Sequence, residues 1–216
     1  MHSSTLHLTP GQRRYATVAA LLGWFALAVQ LYLILWGRWT DQASLIGGLV
    51  KFFSFFTVLT NTLVATALTC AITDRHSSGH RFFRSPVVCA GITTSILLVS
   101  IAYNVLLRHL WSPEGWQKLA DELLHDVMPL AFLGYWWLYV SRGELRLKHV
   151  LMWMLYPTLY FGYLLFRGNM FGDYLYPFLD IGTLGTERAL INAFGVLAGF
   201  VGIGLVIWLI DRARSD

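Results

Sequence analysis

Charges in this 216-residue chain are few and bunched, and the stretches between the bunches are long and apolar. Six such runs follow one another: Tyr15 to Trp36, Ile46 to Ile72, Pro86 to Leu107, Leu119 to Val140, Val150 to Phe166 and Ala189 to Ile210. About 20 apolar residues in a helix cross a hydrocarbon core of ~30 Å, so each run has the approximate length of a membrane span. Only 13% of residues are charged and 56% are apolar. A soluble domain carries about 25% charged residues, so a water-soluble enzyme is excluded. The expected fold is all-α, a polytopic membrane protein with six transmembrane helices in one bundle that forms a single domain over residues 1–216. The fifth run is short for a span, but its Trp153, Tyr156 and Tyr160 suit an anchored or tilted helix, since these rings favour headgroup depth.

Basic residues give the sidedness. Arg13, Arg14, Arg75, Arg81, Arg84, Arg142, Arg146, Lys148, Arg212 and Arg214 fall on one side of a six-span chain. Arg38, Arg108, Lys118, Arg167 and Arg188 fall on the other, and Lys51 lies within a span. By the positive-inside rule both termini are cytoplasmic. The basic excess is divided among loops and never forms a stripe with stacking aromatics, so no nucleic-acid partner is expected. Arg13 and Arg14 before an apolar run resemble a signal peptide, but the run continues to Trp36, too long for a signal core, and reads as a retained span. Cys70 and Cys89 read as packing residues. Gly195, Gly199 and Gly202 in the last span offer a small-residue face, read as intramolecular packing. The segment from Arg167 to Glu187 is too aromatic for a plain linker and is expected at the outer interface or folded back as a lid.

Polar side chains at membrane depth need a reason. In the second span Ser54, Thr57, Thr60 and Asn61 fall within about 120° on a straight helix, one polar stripe. Thr62, Thr66, Thr69 and Thr73 lie on roughly the opposite face and look like ordinary packing hydroxyls, and Ser or Thr within a span often bonds back to its own helix. The fourth span holds His125, the side chain best suited to move protons near neutral pH. Pro129, four residues on, displaces the carbonyl of residue 125 from the ladder, and a local kink is expected. Asp121 and Glu122 stand one turn before His125; either can orient the imidazole, the alternative being a water-exposed helix start. On a straight second span Thr57 lies ~16 Å deep against ~9 Å for His125, and Thr60 lies ~4.5 Å deeper than Thr57. Thr57 therefore suits His125 better than Thr60 does, while Ser54 fits best on depth alone. Asn104 is at similar depth, as a donor to the site or a tie between helices. His76 and His80 have i,i+4 spacing but sit in a Ser/Gly loop without a carboxylate cluster, so no metal is expected. No glycine-rich phosphate loop or nucleophile elbow is present.

Three pieces in order, Phe55-Phe56-Thr57-Val58-Leu59-Thr60-Asn61, Leu124-His125 with Pro129, and Tyr176-Pro177-Phe178-Leu179-Asp180, carry a resemblance. With them the chain resembles bacterial six-span membrane proteins distantly similar to the androgen-induced membrane hydrolases of animals. The resemblance implies hydrolysis of fatty acid esters of hydroxy fatty acids by an intramembrane threonine and histidine, which fall on Thr57 and His125. The chain departs from the animal pattern in Asp126 directly after the histidine and in the spacing of Asn61 from the threonine. It also implies a lipid or fatty acyl substrate, no cofactor, and residence in a bacterial plasma membrane. On that reading Asn61 or Asn104 would donate to the oxyanion, and Lys51, Ser54, Thr60, Tyr176 and Asp180 would contact substrate. The competing expectation is a binding or transport protein for a small amphiphile, disfavoured by the absence of inverted repeats and of any helix break beyond the Pro129 kink.

Overall fold

A computed structural model describes residues 8–73 and 77–214. All its regular elements are helical, with no strand among the described residues. Helix α1, Pro10–Thr40, opens on a capping box in which Thr9 and Gln12 exchange side-chain and backbone hydrogen bonds, with Pro10 in the first turn. Helix α2 is Leu45–Ser54 and α3 is Phe56–Ile72. A short α4, Ser78–Phe83, leads to α5, Pro86–Ala102, which continues through a π-turn at Tyr103–Leu107 and a 3-10 turn at Arg108–Leu110. Helix α6, Gly115–Glu122, joins α7, Met128–Tyr139, through a second π-turn at Leu123–Val127. Helices α8, Leu147–Trp153, and α9, Leu155–Phe171, abut at Met154, where Pro157 has no N–H to offer the preceding turn. Gly172, at φ 67°, closes α9 in the left-handed conformation that glycine tolerates. A 3-10 turn at Pro177–Leu179 and α10, Ile181–Leu184, precede the last helix α11, Thr186–Ala213.

Four helical stretches are long and apolar enough to cross a membrane: Pro10–Thr40, Pro86–Leu110, Leu147–Phe171 and Thr186–Ala213. Helices α2 and α3 meet the same criterion together, but only as a pair bent by 76°. This is a membrane protein with four to five candidate spans. The second span is thus not the straight helix expected from its sequence. Phe55 adopts an extended backbone (φ −82°, ψ 128°) that ends α2 and starts α3 in a new direction. The run from Val150, expected to be short, sits in a helical stretch of 25 residues reaching Phe171.

In lipid, helices associate by close packing and polar contacts, because tails and side chains are equally apolar. Helix α1 lies along α3, α3 against α5, and α5 against α7 and α11. Leu68, Ile96, Met128, Phe132 and Phe200 fill the core between them. Close approach occurs where Gly91 faces the Trp153 indole, leaving 2.6 Å for a would-be Cβ. At Gly195, Gly199 and Gly202 nothing lies within 4 Å of that position, so the expected intramolecular packing of this face is not found and the three glycines look outward. Trp153 and Tyr160 are also not interface anchors; both are buried. Thr62, Thr69 and Thr73 do bond back to carbonyls four residues earlier. Cys70 and Cys89 are free and buried. Of the histidine pair, His76 lies outside the described residues, as do Asp74 and Arg75; both ring nitrogens of His80 face hydroxyls, of Thr73 and Ser77.

Candidate active site

The break at Phe55 leaves backbone groups inside the bundle without helical partners, and two tyrosines supply them. Tyr160 OH accepts from Phe56 N–H at 3.0 Å and donates to Ser54 O at 2.8 Å, so one hydroxyl staples the end of α2 to the start of α3. Tyr176 OH, from the segment after α9, accepts from the same Phe56 N–H at 3.3 Å. Tyr163 donates to Ser54 Oγ at 2.7 Å, since the serine proton goes to Val50 O, and Tyr156 OH lies 3.0 Å from Thr60 Oγ1. Irregular backbone is tolerated in a membrane where protein satisfies it, and Tyr160 does so here, while Tyr156 and Tyr163, on the same face of α9, meet the side chains of Thr60 and Ser54.

Thr57 sits in the first turn of α3 as a consequence. Its Oγ1 lies 3.2 Å from His125 Nε2. Across the imidazole, Nδ1 faces two oxygens of Asp121, the carbonyl at 3.0 Å and carboxylate Oδ1 at 3.2 Å. Both are acceptors, so the neutral ring carries its proton on Nδ1, and the Nε2 lone pair faces the threonine hydroxyl. Asp121 is buried and His125 nearly so. Tyr103 donates a short hydrogen bond to Asp121 Oδ2, receives one from Trp111 Nε1 at 3.1 Å, and stacks on His125 with ring centroids 3.7 Å apart.

The π-turn at Leu123–Val127 sets the hydrogen-bond register into which the proline after this histidine falls. Met128 N–H bonds to Leu123 O, five residues back, so in that register Pro129 stands where the donor to Leu124 O should be. The carbonyl of Leu124 is thereby left without that donor, and Asn61 Nδ2 donates to it at 3.0 Å. The other Asn61 amide proton goes to Thr57 O at 2.9 Å, while Asn61 Oδ1 is buried without a partner.

A cavity of about 310 Å³ opens onto the pair, walled by Thr57, Val58, Tyr103, Trp111, Asp121, His125 and Tyr176, with Gln30 and Gln117 bonded to each other at its polar side. A smaller apolar slot of about 40 Å³ between Leu98, Val99, Phe161 and Val196 shares Thr57, Tyr103, Leu107 and Tyr176 with it. Thr57 therefore stands at a wall common to both spaces. The N–H groups of Thr57 and Val58, in the uncapped first turn of α3, have no acceptor among the described residues.

Of the residues singled out in the sequence, Thr57, His125, Asp121 and Tyr176 line the cavity together. The others do not. Ser54 and Thr60 are tied up with tyrosines: the break at Phe55 puts Ser54 on α2, apart from Thr57, while Thr60 stays on α3 with Thr57 and meets Tyr156. Asn61 and Asn104 have both amide protons engaged, the latter with Ser100 O and Asp126 Oδ1, so neither is free to meet an oxyanion. Glu122 and Asp126 pair with Arg108 at the rim, Glu122 at 3.3 Å. Lys51 is exposed on α2 away from the cavity, and Asp180 caps α10 through Gly182 N–H at 2.9 Å. Tyr103, Trp111, Gln30, Gln117 and Tyr160 were not foreseen. The i, i+4, i+7 spacing of Tyr156, Tyr160 and Tyr163 was the available signal for the staple; Tyr103 had none. Comparison with family models, curated proteins and solved structures returns no match.

Proposed function

We propose that the chain is an intramembrane hydrolase of lipid acyl esters, such as fatty acid esters of hydroxy fatty acids, with Thr57 as nucleophile and His125 as general base. The observation that carries this reading is the line Thr57 Oγ1, His125 Nε2, His125 Nδ1, Asp121 Oδ1, with 3.2 Å at each gap between residues, on the wall of a cavity of about 310 Å³. An unassisted hydroxyl is a poor nucleophile, and a base of this placement removes its proton as it attacks. Thr57 Oγ adds to the ester carbonyl while its proton passes to Nε2. The developing oxyanion is met by the unoccupied first-turn amides of Thr57 and Val58, at the positive end of α3. His125 then protonates the leaving alcohol, and water, deprotonated by the same Nε2, releases the acid from Thr57. Asp121 keeps the imidazole in the tautomer that this cycle needs and stabilises its cationic form. In this reading the helix pair α2/α3 and the stretch Gly115–Tyr139 also belong to the membrane, giving six spans with cytoplasmic termini and a site that opens to the outer leaflet of a bacterial plasma membrane.

Purified protein given such an ester in detergent should liberate acid. Thr57→Ala and His125→Ala should each lower turnover by about 10² to 10⁴-fold. Undiminished turnover in either variant refutes the assignment. A second reading, a binding or transport protein for a small amphiphile, draws support from the 76° break in α2/α3, since discontinuous helices line the substrate sites of many transporters. Saturable ester binding with no acid released, and no labelling of Thr57 by a fluorophosphonate, would favour it.

A further inference from the structure

The proposed dyad and its carboxylate leave one neighbouring side chain unexplained. Tyr103 begins the π-turn that ends α5, is 4% exposed, and touches both Asp121 and His125. Its hydroxyl has one proton. Trp111 Nε1–H donates to that oxygen at 3.1 Å, so the phenol accepts from the indole and directs its own proton to Asp121 Oδ2. Its ring lies flat against the imidazole, 13° from parallel, and opposes any rotation that would swing Nε2 away from Thr57. The Arg108 guanidinium lies over the same ring, 5.2 Å from the centroid, itself held by Glu122 and Asp126.

We infer that Tyr103 is a positioning residue of the site, a clamp that fixes the imidazole with its ring and shares the charge of Asp121 through its hydroxyl. The inference rests on the hydrolase reading for its effect on turnover, though not for its effect on the histidine. A carboxylate with two donors divides its charge between them. While the phenol holds Oδ2, Asp121 pulls less on the Nδ1 proton, and His125 gives up the proton it has taken more readily. The other groups around His125 do not supply this control: from its own helix Glu122 and Asp126 are turned to Arg108, Arg108 is engaged with those two carboxylates and the phenol ring, and α3 contributes the neutral Thr57.

Tyr103→Phe keeps the stacked ring and removes the hydroxyl, which is the donor to Asp121 and the acceptor for Trp111 Nε1–H. With the full-length protein, turnover of a fatty acid ester by this variant should fall about tenfold in kcat with KM little changed. The acid limb of the pH profile should move to higher pH, because the carboxylate facing Nδ1 no longer shares its charge with the phenol. Trp111→Phe, which leaves the phenol in place but unoriented, should move the limb the same way by less. Histidine ring NMR across the same pH range supplies a readout independent of catalysis, with His125→Gln identifying the signal. If the wild-type protein hydrolyses ester and Tyr103→Phe matches it in kcat and pH limb, the clamp is overturned and the hydrolase stands. Should no ester be cleaved while the His125 titration still moves upward in Tyr103→Phe, the hydrolase reading falls and the clamp stands. An unmoved titration overturns the clamp in either case.

Discussion

Asn61 holds the two halves of the proposed site in register. It is fully buried, and its amide spans from its own helix at Thr57 O to the π-turn at Leu124 O. A buried carbonyl that loses its donor costs about 1–3 kcal/mol. Asn61→Ala should therefore lower unfolding stability in detergent by that amount and reduce turnover, since Thr57 and His125 belong to the two turns it ties. The need for Asn61 arises from Pro129, which has no N–H to offer. Pro129→Ala returns a backbone donor to this turn, so Asn61→Ala should cost less stability in that background than in the wild type. Equal cost in both backgrounds, measured as a double-mutant cycle by thermal melting, would show that the two residues do not share that carbonyl. The sequence already marked Asn61 as an intramembrane polar residue close to Thr57. It did not mark it as a tie to the histidine helix, because that role depends on a one-residue shift of hydrogen-bond register in a different element.

At the scale of elements, the break between α2 and α3 is what puts a helix start, with its unpaired N–H groups, beside a threonine hydroxyl at membrane depth. An isolated break there would leave Ser54 O and Phe56 N–H unpaired in hydrocarbon, each at a cost of several kcal/mol. Tyr160 bonds to both. Tyr160→Phe should destabilise the protein by about 1–3 kcal/mol and lower turnover. Tyr163→Phe should do neither to a comparable extent, because the Tyr163 ring is 40% exposed and its hydroxyl serves only the Ser54 side chain. Thermal melts of the two variants in one detergent rank them, and the reverse order would overturn the staple. Tyr156 and Tyr160 read as interface anchors in the sequence because a tyrosine ring suits headgroup depth as well as a neighbouring helix. It placed Ser54, Thr57, Thr60 and Asn61 on one stripe because a straight helix is the default for an unbroken apolar run. Phe52 to Phe56 contains neither proline nor glycine to announce a break.

For the whole molecule, the proposed topology puts the segments around Gln42 and Ser112 on one side of the membrane and Glu144 on the other. Single cysteines at these positions, with Cys70 and Cys89 replaced by alanine, test it in intact cells. A membrane-impermeant maleimide should react from outside at positions 42 and 112 and only after lysis at 144. Reaction of 42 and 112 from opposite sides would break the six-span arrangement and, with it, a cavity walled from both Gln30 and Trp111 that faces one compartment. Helical class and membrane residence are readable from residue order alone, because both depend on hydropathy summed over some twenty neighbouring positions. The candidacy of Thr57 and His125 is readable for a related reason: a hydroxyl and an imidazole amid apolar neighbours stand out locally. The bend at Phe55, the π-turns at Tyr103 and Leu123, and the convergence of Tyr103, Asp121 and His125 came only with the folded chain. Each is held by hydrogen bonds and ring contacts between residues far apart in sequence, and contacts of that kind leave no periodic trace in the chain that makes them.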